Sequence, residues 1–173
     1  MSWFDRIPHP ASLILWLAAL LLSACGFQLR GSATLPFDTL YIDAPPSSVF
    51  ATELRRVVGY GSKTRVTNTQ AEAAATLQVV YELREKEILS LSAGGRVREL
   101  QLRYRVTYQV FDKAKNMITP RSEIVLRRDM SFNDQVTLSK ESEETLLYRD
   151  MQTDAVQQLV RRLQAVARAS AKG

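Results

Sequence analysis

Leu77-Gln78-Val79-Val80-Tyr81-Glu82-Leu83-Arg84 and Leu100-Gln101-Leu102-Arg103-Tyr104-Arg105-Val106-Thr107-Tyr108-Gln109-Val110 are the two stretches that decide the architecture. In the first, Leu77, Val79, Tyr81 and Leu83 alternate with Gln78, Glu82 and Arg84. In the second, six apolar residues from Leu100 to Val110 alternate with Gln101, Arg103, Arg105, Thr107 and Gln109. A strand sends successive side chains to opposite faces, so this period of two predicts a sheet buried on one face and wet on the other. Ala93-Gly94-Gly95 lies between the runs, where residues that tolerate φ > 0 are cheap, and joins them into a long antiparallel hairpin. Glu85 and Glu87 interrupt the apolar face, so the strand is expected to bend or leave the sheet there. No partner motif accompanies them that would make an acid/base pair.

Working outward, Lys113 to Asn116 reads as a second turn, and Glu123 to Phe132 as a further strand with Ile124, Leu126, Met130 and Phe132 on one face. Upstream, Thr39-Leu40-Tyr41-Ile42 is a short strand stopped by Pro45-Pro46. Ser47 or Ser48 then caps a helix carrying Phe50, Leu54, Val57 and Val58 on one face, ended by Gly59 and Gly61. Thr64 to Thr67 is a second strand returning as in a βαβ unit. The C-terminal third changes period. Ser139 is the expected N-cap, Glu141, Glu143 and Glu144 crowd the first turn, and Leu147, Met151, Ala155, Leu159, Leu163 and Val166 form one stripe. With no Gly or Pro from Thr137 to Lys172, a helix of about seven turns is expected. The order β-α-β-β-β-β-α predicts an α+β two-layer sandwich. Two amphipathic helices pack on one face of a four- to five-stranded mixed, mostly antiparallel sheet.

The first residues belong to a different class. Ala11 to Leu22 is an unbroken apolar run of twelve, too short to span a bilayer comfortably and of signal-peptide length. It is preceded by Arg6 and followed by Leu22-Ser23-Ala24-Cys25, which resembles the lipobox of bacterial lipoproteins. That resemblance implies removal of residues 1–24 and lipid attachment at Cys25: a diacylglyceryl group on its sulfur and acylation of its new amine. Three acyl chains anchor stably where one is marginal. Gly26, standing where an inner-membrane lipoprotein commonly has Asp, favours the outer membrane. Residues 25–37 are then a lipidated tether and 38–173 a single domain.

Composition narrows the chemistry. There are 23 Lys+Arg against 18 Asp+Glu, with one His and one Cys. Loss of residues 1–24 removes Asp5, Arg6 and His9, so the net charge stays at +5 and no histidine remains. With Cys25 lipidated there is no free thiol, which leaves no histidine base, metal cluster or soft nucleophile. No cofactor is expected beyond the covalent lipid, and the mild basic bias does not argue for nucleic acid. Catalysis by carboxylates or Ser–Lys remains formally open. Ser139-x-x-Ser142 and Ser90-x-Ser92 lack a suitably spaced Lys and read as capping and turn residues.

Cys25-Gly26-Phe27-Gln28-Leu29-Arg30-Gly31, directly after the lipobox, resembles the start of the LPS-assembly lipoproteins of the LptE family. The Pro-terminated early strand, the central hairpin and the helix from Leu138-Ser139-Lys140-Glu141 to Leu159-Val160-Arg161-Arg162-Leu163 fit the same family. The resemblance implies a non-catalytic role: a plug inside the β-barrel protein LptD that assists its folding and takes part in LPS delivery to the outer leaflet, with contact to LPS itself. It also implies anchoring in the outer membrane from the periplasmic side. An LPS binder should set Arg or Lys beside apolar surface, to meet lipid A phosphates and acyl chains. Arg96 and Arg98 at the hairpin tip and Lys140 at the helix start are the candidates, with Arg103 and Arg105 extending the strip along the sheet. The alternative for Arg103 and Arg105 is a solvated face with cross-strand pairing to Glu82 and Glu99. Tyr81, Tyr104, Tyr108 and Tyr148 share periodic faces with Leu and Val, and packing is expected of them rather than sugar stacking. Two other readings stand beside the first: an auxiliary lipoprotein of another envelope lipid transporter, and a lipid-anchored hydrolase.

Overall fold

The computed structural model describes residues 34–132 and 137–170. Cys25, the expected signal peptide 1–24 and most of the expected tether lie outside the described residues. The elements are β1 (Thr39–Asp43), α1 (Val49–Gly61), β2 (Arg65–Thr67), a short 3₁₀ turn (Gln70–Glu72), β3 (Ala75–Leu91), β4 (Val97–Asp112), β5 (Met117–Ser131) and α2 (Thr137–Ser170). The strands form one open sheet in the order β2-β1-β3-β4-β5. β1 runs parallel to β2 and β3, and β4 runs antiparallel to both of its neighbours, β3 and β5. This is the expected mixed, mostly antiparallel α+β fold.

Both helices pack against one face of the sheet. From α1, Phe50, Leu54 and Val58 are buried; from α2, Tyr148, Met151, Ala155, Leu159 and Leu163. They meet Leu40 and Ile42 of β1, Leu77 of β3, Leu102, Tyr104, Val106 and Tyr108 of β4, and Ile124 of β5 in a single core. Each large aliphatic side chain so buried contributes about 1.5–3 kcal/mol.

Local chemistry sets the ends of the helices. Ser48, not Ser47, is the N-cap of α1, its Oγ accepting the Ala51 N–H at 3.0 Å. The helix passes through Gly59 and stops only after Gly61. Ser62 ends it, since both its N–H (3.2 Å) and its hydroxyl (2.7 Å) donate to the Val58 carbonyl. α2 begins at Thr137, three residues before the first helical position expected after a cap at Ser139, and runs for 34 residues. Ser139 is therefore inside the helix rather than at its cap, and no acid occupies the first turn.

The largest departure from the sequence reading lies in β3. Val79 pairs with Tyr108 and Tyr81 with Thr107, so Val80 is one extra residue and the alternation changes face. Leu77 and Val79 are buried as expected, but Tyr81 and Leu83 are 54% and 43% exposed. Glu82 and Arg84 now face the helices, and Glu85 and Glu87 the open side. The strand does not leave the sheet at these glutamates; it stays paired as far as Leu91.

Candidate functional site

The far end of the β3–β4 hairpin is closed by two backbone bonds, Ser92 N–H to the Arg96 carbonyl (2.7 Å) and Gly95 N–H to the Ser92 carbonyl (2.9 Å). Gly95 sits at φ +77°, which glycine adopts without strain. The Ser92 hydroxyl accepts the Arg96 N–H at 3.1 Å and tightens the turn. On this frame Arg96 and Arg98 are exposed, and neither guanidinium makes an ion pair or side-chain hydrogen bond among the described residues. Beside them on β3, Ile88, Leu89 and Leu91 are 56%, 45% and 55% exposed. Three large aliphatic side chains in water next to two unpaired cations are unusual for a strand end that merely has to stay soluble.

The other expected basic residues are engaged. On the open face, Arg103 contacts Glu87 at 2.9 Å and Glu85 at 4.0 Å, and Arg105 contacts Glu85 at 3.3 Å and Glu123 at 3.5 Å. The result is a cross-strand ladder of alternating charge. The pairing partners differ from the expected Glu82 and Glu99, for a physical reason: the bulge at Val80 turns Glu82 to the helix side and swings Glu85 and Glu87 over to the arginines. Glu99 instead accepts from the Ser90 hydroxyl at 2.8 Å. Lys140 donates to Glu143 Oε2 at 2.8 Å and to Ser131 Oγ at 3.2 Å, tying the first turns of α2 to the end of β5. The structure thus brings Arg96 and Arg98 together at the tip and leaves Arg103, Arg105 and Lys140 in ion pairs.

Of the four tyrosines, Tyr104, Tyr108 and Tyr148 are buried and pack as expected, while Tyr81 is open with the Arg121 guanidinium 5.4 Å from its ring centre. Burial, then the Glu82 hydrogen bond and charge, push the Tyr104 phenol far above its ordinary range. Burial and the nearby Glu144 raise Tyr148 as well. Glu82, expected on the wet face as a partner for the arginines, has a structural role instead. Its carboxylate accepts from the Ser48 hydroxyl, the Phe50 N–H (3.3 Å) and the Tyr104 hydroxyl (2.7 Å), fastening the N-terminus of α1 to the sheet. The only sequence signal was a glutamate beside two apolar residues in a strand, which the bulge makes meaningful. Among the described residues no group of three His, Cys, Asp or Glu is placed to hold a metal, and no helix is long and apolar enough to cross a membrane.

A family model described as "LptE: Lipopolysaccharide-assembly" matches residues 37–163. The "LPS-assembly lipoprotein LptE" of Yersinia pestis (strain Pestoides F) is 30% identical over 164 residues, which cover 93% of this chain and 78% of that protein. A solution structure of an uncharacterized lipoprotein B from Nitrosomonas europaea is 41% identical, covers 85% of this chain and 96% of that one, and superposes with a TM-score of 0.73. The rare lipoprotein B of Shewanella oneidensis shares the fold, with a TM-score of 0.64 at 21% identity over 78% of this chain and 99% of that one.

Proposed function

The chain belongs to the LptE lipopolysaccharide-assembly family, and on that premise we propose that it is a lipid-anchored, non-catalytic outer-membrane component that partners the LptD β-barrel and touches LPS through its hairpin tip. The observation that carries the LPS contact is the tip itself. Among the described residues Arg96 and Arg98 are exposed and without an ion pair, beside exposed Ile88, Leu89 and Leu91, a surface suited to a ligand with phosphates next to acyl chains. Arg103, Arg105 and Lys140 would first have to exchange Glu85, Glu87, Glu123 or Glu143 for a phosphate, so they rank behind the tip.

Anchoring rests on Leu22-Ser23-Ala24-Cys25 and on relatives named as lipoproteins. Intact-mass analysis of the membrane-extracted protein should show acylated Cys25 at the N-terminus; a free thiol there would contradict the anchor. The partner is tested by affinity capture in mild detergent, with mass spectrometry of what is recovered. An LptD-type outer-membrane barrel supports the reading. Inner-membrane transporter subunits in its place would favour an auxiliary role in a different envelope lipid transporter.

A further inference from the structure

The sheet has two edges of very different reach. β2 exposes three residues, whereas β5 exposes fifteen, Met117–Ser131. A long regular edge presents a row of unpaired N–H and C=O groups on which another strand can pair. From Glu99↔Ser131 to Tyr108↔Ser122 the β4–β5 register runs without a shift, so alternate β5 residues point their backbone groups away from β4. Phe132, with an even number, donates its N–H to Arg98 of β4, which marks the odd-numbered residues as the outward set.

That edge is self-complementary. In an antiparallel pairing with a second copy centred on Val125, Glu123 of each chain stands opposite Arg127 of the other, and Arg121 opposite Asp129. Opposite charges directly across a ladder stabilise it. Yet the carbonyls such a pairing needs are already taken. Arg162 of α2 donates from Nη1 to the Glu123 carbonyl at 2.8 Å, and Arg128 donates from Nη1 to the Arg127 carbonyl at 3.0 Å. Arg128 is steadied by Asp154 at 2.7 Å, and Arg162 also lies 3.5 Å from the Tyr108 hydroxyl. Further along, Pro120 offers no N–H, and its carbonyl accepts from the Ser122 hydroxyl at 2.8 Å.

We propose that Arg128 and Arg162 lock the β5 edge, and that the partner they exclude is β5 of a second copy of this chain. The lock is independent of the LPS reading, because none of its residues belongs to the hairpin tip. The test uses the full chain in mild detergent, with R128A/R162A compared to wild type by sedimentation over a range of concentrations and by circular dichroism for fold. The double variant should dimerise at concentrations at least about tenfold below those at which wild type does. Adding V125P, which removes an outward N–H without touching the β4 ladder, should return it to a monomer. A folded double variant that stays monomeric over the same range overturns the proposal, as does a dimer that survives V125P. If the double variant does not fold, R162A alone, with Arg128 in place, is read by the same criteria.

Discussion

Two hairpin turns close in the same way with different residues at the demanding position. In the β3–β4 turn it is Gly95, at φ +77°, and in the β4–β5 turn it is Lys115, at φ +67°. The latter turn is held by Lys115 N–H to the Asp112 carbonyl (3.0 Å) and by the Asp112 carboxylate, which accepts the Asn116 N–H at 2.7 Å. A left-handed backbone costs a residue with a Cβ about 1–2 kcal/mol, offset in part by the greater freedom glycine loses on folding. Lys115→Gly should therefore raise stability by about 0.5–1 kcal/mol in urea unfolding. Gly95→Ala should lower it by about 1 kcal/mol. A Cβ at Gly95 meets no atom within 4 Å, so backbone strain alone would account for that loss. Tyr104 supplies a pH dependence. Its phenol is held neutral by burial and by Glu82 to a pH at which an unfolded tyrosine has ionised. The stability it contributes is present below about pH 10 and falls as pH rises further. The urea midpoint of wild type should drop above about pH 10, and Tyr104→Phe should flatten that drop.

At the scale of elements, the extra residue Val80 reverses the sequence alternation of β3, and two further register shifts follow near the hairpin end, between Ile88 and Ser90 and between Ser90 and Leu91. Deleting Val80 would close the bulge without changing the register on either side: Val79 stays opposite Tyr108 and Tyr81 opposite Thr107, so Tyr81 and Leu83 remain on the open face and Glu82 within reach of Ser48 and Tyr104. With the Glu82 contacts and the core unchanged, the deletion should alter stability by only about 1 kcal/mol. Circular dichroism of the deletion variant should show a native-like spectrum and a melting point near that of wild type; an unfolded chain would show that the local twist of the bulge is itself required. This is also where sequence reading runs out. Period and capping residues made β4, β5 and both helices legible, because burial on one face leaves its mark at every second or every third to fourth position. A bulge leaves none: Val79-Val80 looks like any other apolar pair, so simple alternation puts Tyr81, Glu82, Glu85 and Glu87 on the opposite faces from those they occupy. Ser139 misled for a related reason, since a cap is defined by the backbone around it and not by its own hydroxyl.

Over the whole molecule, one face of the sheet carries the helices and the core, and the other carries the Glu87–Arg103–Glu85–Arg105–Glu123 ladder. Because those charges are spent on each other, Arg96 and Arg98, beside exposed Ile88, Leu89 and Leu91, are the expected basic residues left without an ion pair among the described residues. The basic strip read from the sequence thus contracts to Arg96 and Arg98; sequence shows where arginines are, and only the register shows which are already paired. The most direct test is LPS binding by R96E/R98E, measured calorimetrically at low and at physiological salt, with circular dichroism to confirm the fold. Exposed residues away from caps alter stability by about 0.5 kcal/mol or less, so the variant should stay folded. With roughly 1 kcal/mol from each charge-assisted contact, the double reversal should weaken binding at low salt by at least about tenfold. Wild-type binding should also weaken as salt rises, and the variant's much less, since the screened attraction is gone. A folded R96E/R98E that binds LPS as tightly as wild type at low salt would contradict the account and leave the two arginines as solvated surface charges.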